Sequence, residues 1–286
     1  MITSTSTQPQ SRPPIRAPVR PVGPDVASEL RRLMPRDRWL LDLLHEHQIF
    51  TTSQVAALAF DHIHTARNRL VALSQRSVLA RFRDGVRPGS QQWRWTLGLV
   101  GAAYIAARDG APEPTPAVVR QKINRLAASP RLAHLLGVNA FFTGLAAHAR
   151  HAPGARLETW WSERSCHAVT GDLVRPDGHG TWAEGGRTCS FWLEYDRASE
   201  PAHRVAAKLD GYAALHRATG TPQTVLFILA TPAREASLRT RMAAHPAITT
   251  GALTVATATE PCPEPAGPVW AATSAPGRVR LARLAA

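Results

Sequence analysis

Between Asp172 and Tyr212 the chain sets carboxylates at the ends of two successive strands and a lysine on the helix that follows. The stretch reads GDLVRPDGHG, then a turn rich in Trp and Gly, then CSFWLEYDRASE, then a helix carrying Lys208 and Tyr212. A strand over 172–176 would end at Asp177, and the next strand, over 190–195, would end at Glu194. Residues two apart on a strand share a face, so Glu194 and Asp196 point the same way. Carboxylates gathered at one sheet end suit a hard divalent cation such as Mg²⁺ or Mn²⁺, and a neighbouring ammonium can stabilise charge that develops on a phosphoryl group. Asp177, Glu194, Asp196 and Lys208 are therefore the candidate catalytic residues, the first three also the candidate metal ligands. Residues 158–200 hold eight of the chain's 21 Asp and Glu against four Arg, an acidic island in a protein of net charge +13. The alternative is a scaffold in which these groups cap strands and face water.

That overall charge, with a pI near 11.2 and 32 of 34 basic residues being Arg, calls for a polyanionic partner, double-stranded DNA first and a membrane surface second. No apolar run approaches the ~20 residues that cross a bilayer, and the opening MITSTSTQPQSRPP has no apolar signal segment. Three cysteines, Cys166, Cys189 and Cys262, are odd in number and never spaced CxxC. Neither a zinc site nor a disulfide framework is expected, which suits a reducing cytoplasm.

Residues 1–28 are rich in Ser, Thr, Gln and Pro with Arg12, Arg16 and Arg20 among them, a basic arm expected to lack fixed structure. A domain over 29–108 follows. Leu40, Leu41 and Leu44 give a helical stripe from Asp37 to His47. A hydroxyl cap in Phe50–Ser53 starts a second helix, and Ala66, Leu70 and Leu73, at i, i+4 and i+7, mark the inward face of a third over 62–75. Residues 78–83 and 91–97 read as strands about a turn. Three helices and a hairpin in this order describe a winged helix-turn-helix. Residues 60–97 carry seven Arg and two Asp. Such a module lays its third helix in the major groove, with flanking cations on phosphates. His64, Thr65, Asn68 and Arg69 are expected near bases, and Arg67, Arg76, Arg81, Arg83 and Arg87 on the backbone. The same surface would serve protein contacts if its arginines were only solvated.

After a further helix over 98–107, a proline-punctuated linker, 109–117, separates a second domain over 118–258. It opens with helical sequence to His148, broken at Ser129-Pro130, in which His134 is a minor site candidate. The run TVLFILA over 224–230 is a fully buried strand; a helix over 201–218 precedes it, and a helix over 234–244 and a strand over 253–257 follow. Residues 259–286 form a loosely held tail apart from Val269-Trp270. No Gly-rich phosphate loop or zinc spacing is present.

The segments RPDG, FWLEYDR and KLDGY resemble the PD-(D/E)XK nuclease-like pattern, which implies a restriction-endonuclease-like α-β-β-β-α-β core and an α/β (α+β) chain overall. The family sets Lys two residues after its Glu; Asp196 stands there here, and Lys208 on the following helix takes the part of the Lys. With RDRWLLDLL and ARNRLVALSQRSVLARF, the whole order from Arg36 to about Ala230 resembles the replication-relaxation family of plasmid and mobile-element proteins. That resemblance implies a DNA-associated role in plasmid replication, maintenance or conjugative transfer, with replication or transfer proteins as partners. An active Mg²⁺-dependent DNA endonuclease or nickase, and a winged-helix transcriptional regulator, are the alternatives.

Overall fold

The computed structural model describes residues 26–83, 92–198, 200–273 and 275–284. Helices α1 (Val26–Arg31) and α2 (Pro35–His47) lead into the short strand β1 (Phe50–Thr51), helices α3 (Thr52–Ala59) and α4 (Ile63–Gln75), strands β2 (Leu79–Phe82) and β3 (Arg94–Leu97), and helix α5 (Leu99–Arg108). Thr51 begins α3 as the sequence predicts. Its hydroxyl accepts from the Gln54 N–H at 3.2 Å while the Gln54 side chain accepts from the Thr51 N–H at 2.8 Å, a reciprocal cap that satisfies two otherwise orphaned donors. Ala66, Leu70 and Leu73 of α4 are buried against Leu40, Leu41, Leu44 and Val55. The strand order β1-β3-β2 closes this part as a small antiparallel sheet.

Helices α6 (Pro116–Ala127) and α7 (Leu132–His151) follow, then β4 (Arg156–Ser162), α8 (Glu163–Thr170), β5 (Gly178–Glu184), β6 (Arg187–Asp196), α9 (Ala202–Thr219), β7 (Gln223–Leu229), α10 (Pro232–Met242), α11 (Pro246–Thr249), β8 (Leu253–Thr259), β9 (Trp270–Ala272), β10 (Arg278–Val279) and a 3-10 turn, Leu281–Leu284. The chain is thus a mixed α/β protein. Seven strands form one sheet in the order β10-β9-β8-β7-β6-β5-β4. Strands β4, β5 and β6 run antiparallel, while β6, β7 and β8 are parallel. Alternation along the strands sorts the core into two layers. Phe191, Leu193, Leu226 and Ile228 face α7 and Trp270, and Trp192, Val225, Phe227 and Leu229 face α9 and α10. Helix α7 is long and apolar enough to span a membrane by length and composition, yet Phe141, Phe142 and Leu145 bury its apolar side against the sheet.

The order of helix, three strands, helix and strand expected for this part is present with α8 inserted, but its second strand is displaced. Residues 171–177 form no strand; β5 occupies the segment expected to be a Gly-rich turn. Its glycines serve packing, since a Cβ on Gly180 would lie 2.6 Å from the Phe191 ring. The true turn is Gly185-Gly186, both at positive φ, which joins β5 to β6 as a two-residue hairpin loop requires. Trp270, excepted from the loose tail, is fully buried, and the rest of that tail is held too, supplying β10 and the buried Leu281 and Leu284.

The two parts meet along a packed seam. Asn139 of α7 donates to the carbonyls of Ile49 at 2.6 Å and His47 at 3.2 Å, and Gln54 donates to the Leu136 carbonyl at 2.9 Å. The His47 ring stacks on Trp160 at 3.8 Å. At the far end of α7, Arg150 donates to the Phe60 carbonyl at 3.1 Å and to Asp61 at 2.5 Å, bracing the turn that enters α4.

Candidate functional site

Along α4 the inward stripe leaves an opposite face to solvent. His62, His64, Thr65, Arg67 and Asn68 are exposed, flanked by the exposed Ile63. Uncovered amide, hydroxyl and imidazole groups with a guanidinium beside them have the chemistry to bond base edges and a phosphate.

Arg69 is not part of that face. Its guanidinium grips both carboxylate oxygens of Asp37, the Nε bond being 2.9 Å, and Asp37 is 3% exposed. The same carboxylate accepts from the Met34 N–H at 2.8 Å at the start of α2. A guanidinium held this way ties α4 to α2, so Arg69 is a folding contact and not a base reader. Arg76 is likewise withdrawn from the backbone-contact set. It pairs with the Glu29 carboxylate and donates to the Glu29 carbonyl at 3.1 Å. Arg81 and Arg83 lie over the Trp93 ring at 4.3 and 4.5 Å. Stacking holds each guanidinium plane while its edge N–H groups remain able to meet a phosphate. Arg87 lies outside the described residues.

The second site stands at the C-terminal end of β6. Asp177, just before β5, accepts from the Tyr195 N–H at 2.8 Å and is bonded to His134 Nε2 at 2.8 Å. Glu194 is 1% exposed; one of its oxygens takes the Lys208 ammonium and the other the Tyr212 hydroxyl at 2.7 Å. Lys208 and Tyr212 are four apart on α9 and so share a face, a spacing that marks Tyr212 in the sequence once Lys208 is suspected. The two carboxylates are driven in opposite directions. Burial raises Asp177, but the bond to His134 and the charges of His134 and Lys208 outweigh it and hold its pKa below the usual carboxylate value. Glu194 is pushed up to about 7, by burial first and by the Asp177 charge second, against the opposing pull of Lys208 and Tyr212.

Asp196 does not join them. Its carboxylate pairs with Arg234 of α10 and caps the turn at the Ala198 N–H, 2.8 Å away. Sharing a strand face with Glu194 is not enough to bring it into the centre, since its carboxylate is taken up by Arg234. The structure therefore brings together Asp177, Glu194 and Lys208 with the minor candidate His134, and adds Tyr212.

A cleft of about 240 Å³ opens beside Asp177, lined by His47 and Gln48 from the first part and by His134, Ser162, Arg164 and His167 from the second. Glu46 holds two of these lining residues, bonded to the Ser162 N–H at 2.9 Å and hydroxyl at 2.7 Å and to Arg164 at 3.1 Å, and bonds Ser165 as well. Burial works to raise the Glu46 pKa, but these donors bring it down to about 2.

A hard divalent cation needs several oxygen ligands free to face it. Each of the four oxygens of Asp177 and Glu194 already accepts from a protein donor. Among the described residues, no group of three or more His, Cys, Asp or Glu is placed to hold a metal ion. As arranged here, these side chains do not fit a Mg²⁺ or Mn²⁺ site. Millimolar Mg²⁺ should accordingly leave the Tm unchanged, whereas a rise that Asp177→Asn abolishes would mean that a cation displaces His134 and Lys208.

Comparison with known proteins gives one positive finding. No curated protein and no solved structure matches the chain. A family model described as replication-relaxation matches residues 41–227, about two thirds of the chain.

Proposed function

We propose that this chain, which belongs to the replication-relaxation family, is a double-stranded DNA-binding protein serving replication, maintenance or transfer of a plasmid or other mobile element. The exposed polar face of α4 carries this reading. His62, His64, Thr65, Arg67 and Asn68 stand uncovered while Ala66, Leu70 and Leu73 hold the helix on its core. On this reading α2, α3, α4 and the β2–β3 hairpin act as a winged helix, α4 entering the major groove and the hairpin arginines lying on phosphates. Replication or transfer proteins of the same element are its expected partners.

The second part is proposed as a nuclease-like scaffold, a domain that begins near 118, runs past the expected boundary at 258 to take in β9 and β10, and is joined through 109–117 to the winged helix over 29–108. The engagement of every Asp177 and Glu194 oxygen by protein donors supports a structural centre. What favours the rival reading, a Mg²⁺-dependent endonuclease or nickase, is the approach of Lys208 to Glu194 beside Asp177.

Two measurements test these statements. Asn68→Ala should cost about 1–3 kcal/mol of preference between preferred and scrambled duplex, with little change in the salt dependence of binding, because an amide reads bases and neutralises no phosphate. Equal loss on both duplexes would remove α4 from the groove. Incubation with supercoiled, linear and single-stranded DNA, with and without Mg²⁺ or Mn²⁺, should give no cleavage. Metal-dependent cleavage lost in Lys208→Arg, with binding retained, would establish the nuclease instead.

A further inference from the structure

From Pro114 through Leu157 the chain contains no Asp or Glu, yet it carries Arg120, Lys122, Arg125, Arg131, Arg150 and Arg156. In the rest of the molecule carboxylates take up many of the arginines, as with Arg69, Arg76, Arg164, Arg234 and Arg278. Helix α6 forms no such pair among the described residues. Val119 and Ile123 bury one side of it against Ala80, Phe82 and Leu132. The opposite side presents Arg120, Gln121, Lys122, Asn124 and Arg125 to solvent, and its three cations have no carboxylate partner among the described residues. Solvation alone does not require a helix face cleared of acids.

Its position gives that face a use. Arg120 of α6 and Arg81 of β2 line the same small cavity, together with Ala80 and Val119, which brings a cation of each element to one place. At its other end the helix passes through Ser129-Pro130 to Arg131, whose guanidinium bonds Glu163 at 2.8 Å and reaches to 4.0 Å from Asp177 at the cleft. Twelve residues of helix span about 18 Å, or roughly five base pairs of duplex. We propose that α6 is a second DNA-backbone surface, carrying a duplex held by α4 and the hairpin across to the mouth of the cleft at Asp177. The inference rests on DNA binding by the winged helix and adds a contact outside it, specific to phosphates and indifferent to sequence. DNA is favoured over an acidic protein because Arg120 shares its cavity with Arg81 of the hairpin proposed to lie on phosphates.

The test is the salt dependence of duplex binding by the full chain. Each phosphate contact contributes about 0.9 to the slope of log K against log salt. The variant Arg120→Gln/Lys122→Gln/Arg125→Gln alters only exposed side chains, and an unchanged melting curve confirms its fold. It should flatten the slope by roughly two to three and leave the preference between preferred and scrambled duplex as it was. A slope unchanged in this variant but flattened in Arg81→Gln/Arg83→Gln would overturn the role of α6 and leave the winged helix standing. If neither variant alters the slope, or the native chain does not bind duplex, both readings fall together.

Discussion

Lys208→Ala should destabilise the protein by about 3 kcal/mol at pH 8 and by no more than about 1 kcal/mol at pH 5. The carboxyl of Glu194, completely enclosed, is pushed up from 4.5 to about 7 in the folded state. Ionising it therefore costs the folded state stability as pH rises through that window, since the unfolded chain gives up the proton more easily. The ammonium of Lys208 offsets part of that cost. Without it the folded pKa climbs further, so the deficit widens with pH, whereas at pH 5 Glu194 holds a proton with or without Lys208. The low end of the range for breaking a buried pair applies, because the Lys208 side chain is 33% exposed and the Tyr212 hydroxyl stays in place. Urea unfolding of both proteins at the two pH values measures the difference. A loss equal at pH 5 and pH 8 would reduce the contribution of Lys208 to the packing of its methylenes.

Arg69→Ala should cost about 3 kcal/mol, on the order of 5–10 °C in Tm, and leave sequence preference intact below the transition. The reason is Asp37, buried and left with only the Met34 N–H once the guanidinium is gone. Asn68, one residue away on α4, is exposed; its removal should have the opposite signature, an unchanged Tm with relaxed preference. Asp37→Ala and Arg69→Ala should also be strongly non-additive, since either alone breaks the same pair. Simple addition of the two losses, or a collapse of preference in Arg69→Ala, would return Arg69 to the reading face.

Much of the architecture is legible in the chain because it is written in local spacing. The stripe Ala66, Leu70, Leu73 marks α4, the unbroken run TVLFILA marks the central strand β7, and the hydroxyl of Thr51 marks the start of α3. Each depends on neighbours within a turn of helix or a few residues of strand. The segment of β5 defeats the same logic. Its glycines resemble a turn until Phe142 and Phe191 are folded over them, and only then does the absence of a Cβ become a packing requirement.

For the candidate sites the division is sharper. Residue types and helical period alone determined which stripe α4 turns inward, that Lys208 would stand on the helix after Glu194, and that the chain would be strongly cationic. Tertiary structure alone decided which of those charges are at liberty. Arg69 is claimed by Asp37, Arg76 by Glu29 and Asp196 by Arg234, partners 32, 47 and 38 residues away in the chain. His134 reaches Asp177 across 43 residues. An ion pair forms where two surfaces meet, and nothing in the local pattern of either residue records the meeting, because charge acts through space while periodicity acts along the backbone.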